Sequence, residues 1–432
     1  MWGEAESRPT IYNKVKKLEM KRYLIILALF TFALSVGSAD KKDKKEEPVK
    51  LKTLFKTAKL ALKNSNNHGP AEQGLLGAIP RQDIDNKDRA RIYYTAALLQ
   101  QNLNGTINRL AYLKQKYDTA QFFGTTLSMY QHLIRCDSVD IIPNAKGVVK
   151  RKYESDVNSL MKKHRKNLLN GGIFQMRKKA YPLAFDYFDA YLRSNKNPND
   201  TIIPRVSYWA TLCAYNAKKP IQTRRYIESA ISWADKAQKP ILQEYKARTY
   251  SWQNDEKNWL KELNIGVKLY PEHDYFFMNL LDWYNSHHKY DQGLALADSL
   301  LDIHHEKPLF WYAKSLLSLG KEDYKNCIQF SDSCIMRDKN YADAYFNKGL
   351  SYCNLALIAQ QDACNDLKNP KCLEDRRIIQ SLYQSARPCM EKVRQLQPEN
   401  ADRWASPLYR IYLNLNMGKE FDEIDAVLKK MK

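Results

Sequence analysis

An all-α solenoid of antiparallel helix pairs is the fold this 432-residue sequence predicts, on three observations. Glycine is scarce, at 15 residues, β-branched runs are few, and Leu, Ala, Lys and Tyr dominate, a composition that favours helices. Apolar residues recur at spacings of three and four, broken by short polar loops, which is the period of one helix face. From Asp274 onward the apolar pattern also repeats every 34 residues, a period that belongs to stacked two-helix units. Hydrophobic residues make up 44% of the chain, enough for a core along such a stack.

The chain opens on a processing pattern. Lys21-Arg22 precede the apolar run Tyr23 to Val36, and Gly37-Ser38-Ala39 follow with small side chains. A basic start, an apolar run and a small-residue site are the parts of a secretory signal peptide, assigned to residues 20–39 with cleavage near Ala39. The apolar run is shorter than the roughly 20 residues of a membrane span, and a retained anchor is the alternative. Residues 1–19 read as a dispensable extension before Met20. The first cysteine is Cys136, so no lipid-bearing cysteine lies at the cleavage site. Residues 40–52, including DKKDKKEEPVK, form a charged spacer with too little apolar surface to fold.

The 34-residue units are clearest in three blocks. The first, from Asp274, carries Phe277, Leu280, Leu281, Tyr284, Tyr290, Gly293, Ala297 and Leu300. The second, from Pro308, carries Trp311, Ser315, Tyr324, Cys327, Phe330 and Cys334; the third, from Ala342, carries Tyr345, Gly349 and Tyr352. These blocks resemble the tetratricopeptide repeat (TPR), whose pattern is W-x2-L-G-x2-Y, then A-x3-F, then P. The resemblance implies a superhelical solenoid whose first helices line a concave protein-binding surface. The wider pattern also resembles exported envelope TPR proteins of Gram-negative gut anaerobes.

Looser matches extend the array. Phe55, Ala58, Leu62, Ala71, Leu75 and Ala78 repeat the spacing, and Phe123, Leu127 and Tyr130 read as another first helix. Tyr181, Ala184, Phe188 and Tyr191 mark a second helix, residues 206–239 a degenerate unit, and the block from Pro240 a further one. Pro143, Gly147 and a basic run interrupt the pattern over 138–158, read as a linker between an N-terminal TPR-like sub-array, 53–137, and a C-terminal array, 159–432. In the third block the second helix is displaced by about 25 residues, which places a helical insertion at about 355–379 that lengthens both helices. Ala386, Met390 and Val393, then Trp404, Tyr412 and an amphipathic segment, close the chain.

Cys327 and Cys334 fall at small-residue positions of one helix. Seven helical residues rise about 10.5 Å, beyond the reach of a disulfide, so these two are expected in the core. Cys364 and Cys372 flank the loop of the insertion and are the candidate disulfide in an oxidising compartment; two thiols are the alternative. Cys353 and Cys389 are a second, weaker pair. His287-His288 and His304-His305 fall in separate turns about 20 Å apart, too far for one metal ion. No HExxH, GxSxG, P-loop or GxGxxG occurs. The expectation is a non-enzyme with no catalytic residue, metal or cofactor.

The formal net charge is +21, and +18 once residues 1–39 are removed. Basic clusters lie at 146–153 and 161–166. Export argues against nucleic acid, leaving an anionic envelope polymer, lipid head groups with peripheral membrane association, or a solvated face. Four tripeptides, at Asp118, Asp137, Asp200 and Asp298, resemble Asp-Ser/Thr-aliphatic O-glycosylation acceptors of exported proteins.

In the family the concave face is built largely by positions 2, 5, 9 and 12 of each first helix. Here those positions hold Tyr275, Met278, Asp282 and Asn285; Leu309, Tyr312, Leu316 and Leu319; and Asp343, Phe346, Leu350 and Cys353. Met278, Tyr312, Leu316, Leu319, Phe346 and Leu350 are the candidate partner-binding groove, and apolar surface of that extent marks an interaction site unless the insertion buries it. The Lys/Asn arrangement with which relatives hold a terminal carboxylate is missing, so a partner with a hydrophobic segment is expected. The functional expectation is a periplasmic or otherwise exported scaffold for protein–protein interaction. The alternatives are a binder of anionic envelope polymer or lipid, or an accessory component of an envelope assembly.

Overall fold

A computed structural model describes residues 49–431 apart from 142, 144–146, 148, 198–199 and 365–369. The expected signal peptide and extension lie outside the described residues. Among these residues are eighteen helices and no strand, only an isolated antiparallel bridge between Pro143 and Val149. The all-α class and the paired-helix architecture are as the sequence predicts.

The chain divides into two compact units between Ala78 and Ile79. The described part of the first holds one hairpin, α1 (Leu51–Asn64) and α2 (His68–Gly77), with Ala58, Ala61, Ala71 and Leu75 buried. The second unit is a run of eight hairpins, each packed on its neighbours in sequence. They are α3 (Asn86–Tyr112) with α4 (Thr119–Val139), α5 (Glu154–Arg177) with α6 (Tyr181–Ser194), α7 (Ile203–Asn216) with α8 (Pro220–Trp233), and α9 (Gln238–Ser251) with α10 (Glu256–Leu269). Then follow α11 (Asp274–Ser286) with α12 (Tyr290–Leu301), α13 (Pro308–Gly320) with α14 (Tyr324–Arg337), α15 (Ala342–Gln361) with α16 (Pro370–Leu396), and α17 (Ala401–Asn414) with α18 (Gly418–Met431).

Seven of these eight hairpins turn in the same way. The first helix ends, one residue enters the left-handed region, and the chain re-enters a helix. The left-handed residues are Lys114, Lys179, Lys218, Asn254, His288, Glu322 and Asn416. At Glu322 (φ 63°) its N–H donates to the Leu319 carbonyl at 3.0 Å, and the Asp323 N–H donates to the Ser318 carbonyl at 2.8 Å. That pair of bonds closes the orphan carbonyls of the helix end, and glycine normally occupies the left-handed position because a Cβ there is strained. None of the seven is glycine. Glu322 is exposed and its carboxylate is in no ion pair among the described residues, so Glu322→Gly is expected to raise stability by about 0.5–1 kcal/mol, read as a higher denaturation midpoint. A lower midpoint would mean that the side chain contributes something the turn does not reveal.

Second helices start on aspartate caps where the turn allows. Asp118 accepts from the Ala120 and Gln121 N–H groups at 2.8 and 3.1 Å, and Asp323 accepts from Asn326 N–H at 3.3 Å. Asp118 therefore has a structural role of its own within the Asp-Thr-Ala tripeptide. Small residues then allow the helices to approach. A Cβ on Gly293 would sit 2.8 Å from Leu317 Cδ1, a clash that glycine avoids. Cys327, one period later, is fully buried and its thiol faces the Asn347 carbonyl at 3.7 Å; Cys334 is equally buried. Both are core residues of α14, as expected.

Two features differ from the sequence reading. Phe123, Leu127 and Tyr130 lie on α4, the second helix of its hairpin; the first is α3, 27 residues long and rich in polar residues, which blurs its apolar stripe. The 138–158 stretch joins helices that share one core, since a single cluster runs from Ala90 through Met161 to Ala214. Arg151 pairs with Asp137 at 2.7 Å, the Tyr153 N–H donates to Asp140 at 2.7 Å, and the Tyr153 ring stacks on Tyr94 at 4.6 Å. At the insertion, α15 and α16 have 20 and 27 residues, against 13 and 14 in the preceding hairpin.

His164 on α5 is buried, and neither ring nitrogen has a hydrogen-bond partner among the described residues. Burial, reinforced by Lys163, holds its pKa below the usual histidine value, so the folded chain prefers the neutral ring. The unfolded chain therefore takes up a proton first as pH falls below about 6.5. Stability is expected to fall with acidification through that range, and His164→Leu to flatten the slope in denaturant titrations. An unchanged slope would assign the pH dependence to other groups.

Candidate functional site

The candidate groove residues lie on α11, α13 and α15, the first helices of three hairpins. On the first two, one side of the helix points inward: Phe277, Leu280 and Leu281 on α11 and Phe310, Ala313 and Leu317 on α13 are buried in one cluster. The residues between them come to the margin. Met278, Tyr312 and Leu316 pack against that cluster, Phe346 and Leu350 against the next one, and with Leu319 all six are half-buried. Leu309 and Cys353, expected on the same face, are instead buried. The patch is thus a shallow apolar margin of the core.

Polar groups frame it. The Tyr312 and Tyr341 rings lie 5.2 Å apart. Arg403, from α17, sits over the Phe346 ring at 4.5 Å and pairs with Asp343 at 2.6 Å. A guanidinium held over an aromatic face and fixed by a carboxylate is a rigid arrangement. Burial pushes the Tyr312 hydroxyl up to about 12, with Asp343 and Asp282 adding to it, so the ring is a neutral donor at physiological pH. Asp282 is exposed and has no ion-pair partner among the described residues, and partial desolvation by its neighbours raises its carboxyl above the ordinary aspartate value. Arg403 is absent from the sequence-derived site because a contact across 57 residues leaves no periodic trace; the arginine before Trp404 is the only local hint.

The preceding hairpins carry a separate set of polar and aromatic contacts. The Glu244 carboxylate accepts from Arg248 Nε at 2.5 Å and lies 2.6 Å from His273 Nε2. Arg248 covers the Tyr275 ring at 4.4 Å, and Tyr215 stacks on Tyr245 at 3.6 Å. Further back, α5 exposes Lys162, Lys163 and Lys166, none ion-paired among the described residues.

The histidine pairs lie apart in their turns: His287 stacks on Trp283 at 4.6 Å, and His304 Nδ1 lies 3.1 Å from Glu272. Among the described residues no group of three or more His, Cys, Asp or Glu side chains is placed to hold a metal ion. No helix among them is long and apolar enough to cross a membrane. At the insertion, the Cys372 thiol donates to the Cys364 carbonyl at 2.7 Å, and the Cys364 N–H donates to Asp375 at 2.9 Å.

No family model matches the chain, and no curated protein matches it. Solved structures do. The C-terminal part of a TPR repeat-containing protein from Cytophaga hutchinsonii matches with a TM-score of 0.41 and 12% identity over 59% of this chain and 92% of that one. A TPR repeats protein from Bacteroides fragilis matches at 0.30 and 14% identity, covering 61% and 98%. Yeast Tom70 matches at 0.26 and 11%, covering 88% and 96%. The paired-helix architecture itself rests on the helices and turns of this chain.

Proposed function

We propose that this chain is an exported, non-catalytic TPR-type scaffold that holds a hydrophobic segment of a partner protein against the α11–α13–α15 face. The observation that carries the reading is the apolar margin of Met278, Tyr312, Leu316, Leu319, Phe346 and Leu350, repeated at the 34-residue period and half-open on the first helices of three consecutive hairpins. Apolar side chains left at the edge of a well-packed core gain by docking a further apolar group, at about 25 cal/mol per Å² removed from water. Asp282 adds a preference. A carboxylate beside this face with no cation of its own favours a ligand that brings one, and disfavours an acidic tail. The Arg403–Asp343 pair is self-satisfied and supplies rigidity.

The second reading, binding of an anionic envelope polymer or lipid head groups, is favoured by the unpaired Lys162, Lys163 and Lys166 on α5. Ionic strength separates the two. A complex recovered from the envelope without crosslinking is expected to persist from low to moderate salt if the apolar face holds it, while one held by the α5 lysines dissociates. Dissociation would transfer the function to α5. Export rests on the Lys21–Ala39 pattern: N-terminal sequencing is expected to find mature protein starting near Asp40, and a start before Tyr23 would refute it.

A further inference from the structure

We infer that Cys364 and Cys372 form a reversible disulfide that joins the end of α15 to the start of α16 across the insertion loop. The eight cysteines divide into two groups. Cys136, Cys213, Cys327, Cys334, Cys353 and Cys389 are buried on helices, and desolvation pushes their thiols up, to about 12 for Cys136, Cys213, Cys334 and Cys353 and about 11 for Cys389. Such thiols are poor nucleophiles and out of reach of an oxidant. Cys364 is the one cysteine of the eight that is not buried.

Geometry pairs it with Cys372. The Cys372 sulfur lies 2.7 Å from the carbonyl oxygen of residue 364, and the neighbouring Cys364 side chain, ahead of burial, raises the Cys372 thiol. Adding the lengths of the intervening bonds places the two Cα atoms within about 8 Å, so a small closure reaches the bridging range. Asp375, one turn into α16, holds the Cys364 N–H and fixes the backbone on which the first thiol sits. Cys372 is nearly enclosed at 4% exposure, which suits it to the second, intramolecular step.

The chemistry needs an oxidant of the disulfide class. The Cys364 thiolate attacks one sulfur of glutathione disulfide, forming a mixed disulfide and expelling one glutathione thiolate. The Cys372 thiolate then attacks Cys364 Sγ, closing the protein bridge and expelling the second. Two protein thiols lose two electrons and two protons, and glutathione disulfide is reduced to two thiols.

The test treats the reduced, folded full-length chain with glutathione disulfide, quenches it in acid, alkylates it and digests it with trypsin without reductant. Cleavage after Lys368 and Lys371 separates the cysteines, so peptides 349–368 and 372–376 remain joined only through a disulfide. The expected result is that this linked species dominates, fragments as a Cys364–Cys372 bond rather than a Cys353 one, and vanishes with dithiothreitol. The Cys364→Ser variant is expected to leave Cys372 without glutathione. A stable glutathione adduct on Cys364 beside an alkylated Cys372, a bond to Cys353, or no modification of the folded chain would each overturn the inference.

Discussion

Phe310→Ala is expected to cost about 3–5 kcal/mol of local stability, the range for deleting a fully buried aromatic ring. Phe310 has no exposed surface and lies edge-on to Phe277 at 4.8 Å, so its ring fills the joint between the α11–α12 and α13–α14 hairpins. The alanine methyl leaves a void that neighbouring helices, held by their own turns, collapse into only partly. In a stack where each hairpin touches mainly its neighbours, stability is a sum of hairpin and joint terms. The loss should therefore be local. Native-state hydrogen exchange should show lost protection across α11 to α14, with α3 to α6 unchanged. Equal loss of protection along the whole second unit would show one cooperative body in place of a modular array.

Tyr312→Ala combined with Phe346→Ala is expected to weaken partner capture roughly 1,000-fold, since two central aromatic anchors commonly contribute about 2 kcal/mol each and every 1.4 kcal/mol is tenfold. Both rings are half-buried, so some stability will be lost too: Tyr312 rests on the α11–α13 cluster, and Phe346 carries Arg403. The variant must retain wild-type helical circular dichroism for the comparison to count as a binding result. Retained helicity with unchanged capture would remove these two residues from the site. Loss of the helical signal would make them core.

The fold was legible where packing writes a period. Gly293 and Cys327 occupy one structural slot 34 residues apart, and the slot accepts only small side chains, so the period survives in the sequence. The turns left no such trace. Lys114, Lys179, Lys218, Asn254, His288, Glu322 and Asn416 occupy left-handed positions where glycine would have signalled a helix end. That silence helps explain why α3 passed unrecognised and Phe123, Leu127 and Tyr130 were assigned to a first helix. The site was legible to the same degree. Period alone reaches Met278, Tyr312 and Phe346, because they recur on one face. It misplaces Leu309 and Cys353, whose burial depends on neighbouring hairpins, and it cannot reach Arg403, which arrives from α17.

Site-specific photo-crosslinking in the native cell tests the central claim most directly. A crosslinking side chain placed at Leu316 or Leu319 lies on the proposed docking face of α13, while one at Lys325 or Gln329 lies on the exposed face of α14 in the same hairpin. The account predicts that one discrete partner is trapped from Leu316 and Leu319 and not from Lys325 or Gln329. Trapping from the α14 positions alone, or equally from all four, would contradict it.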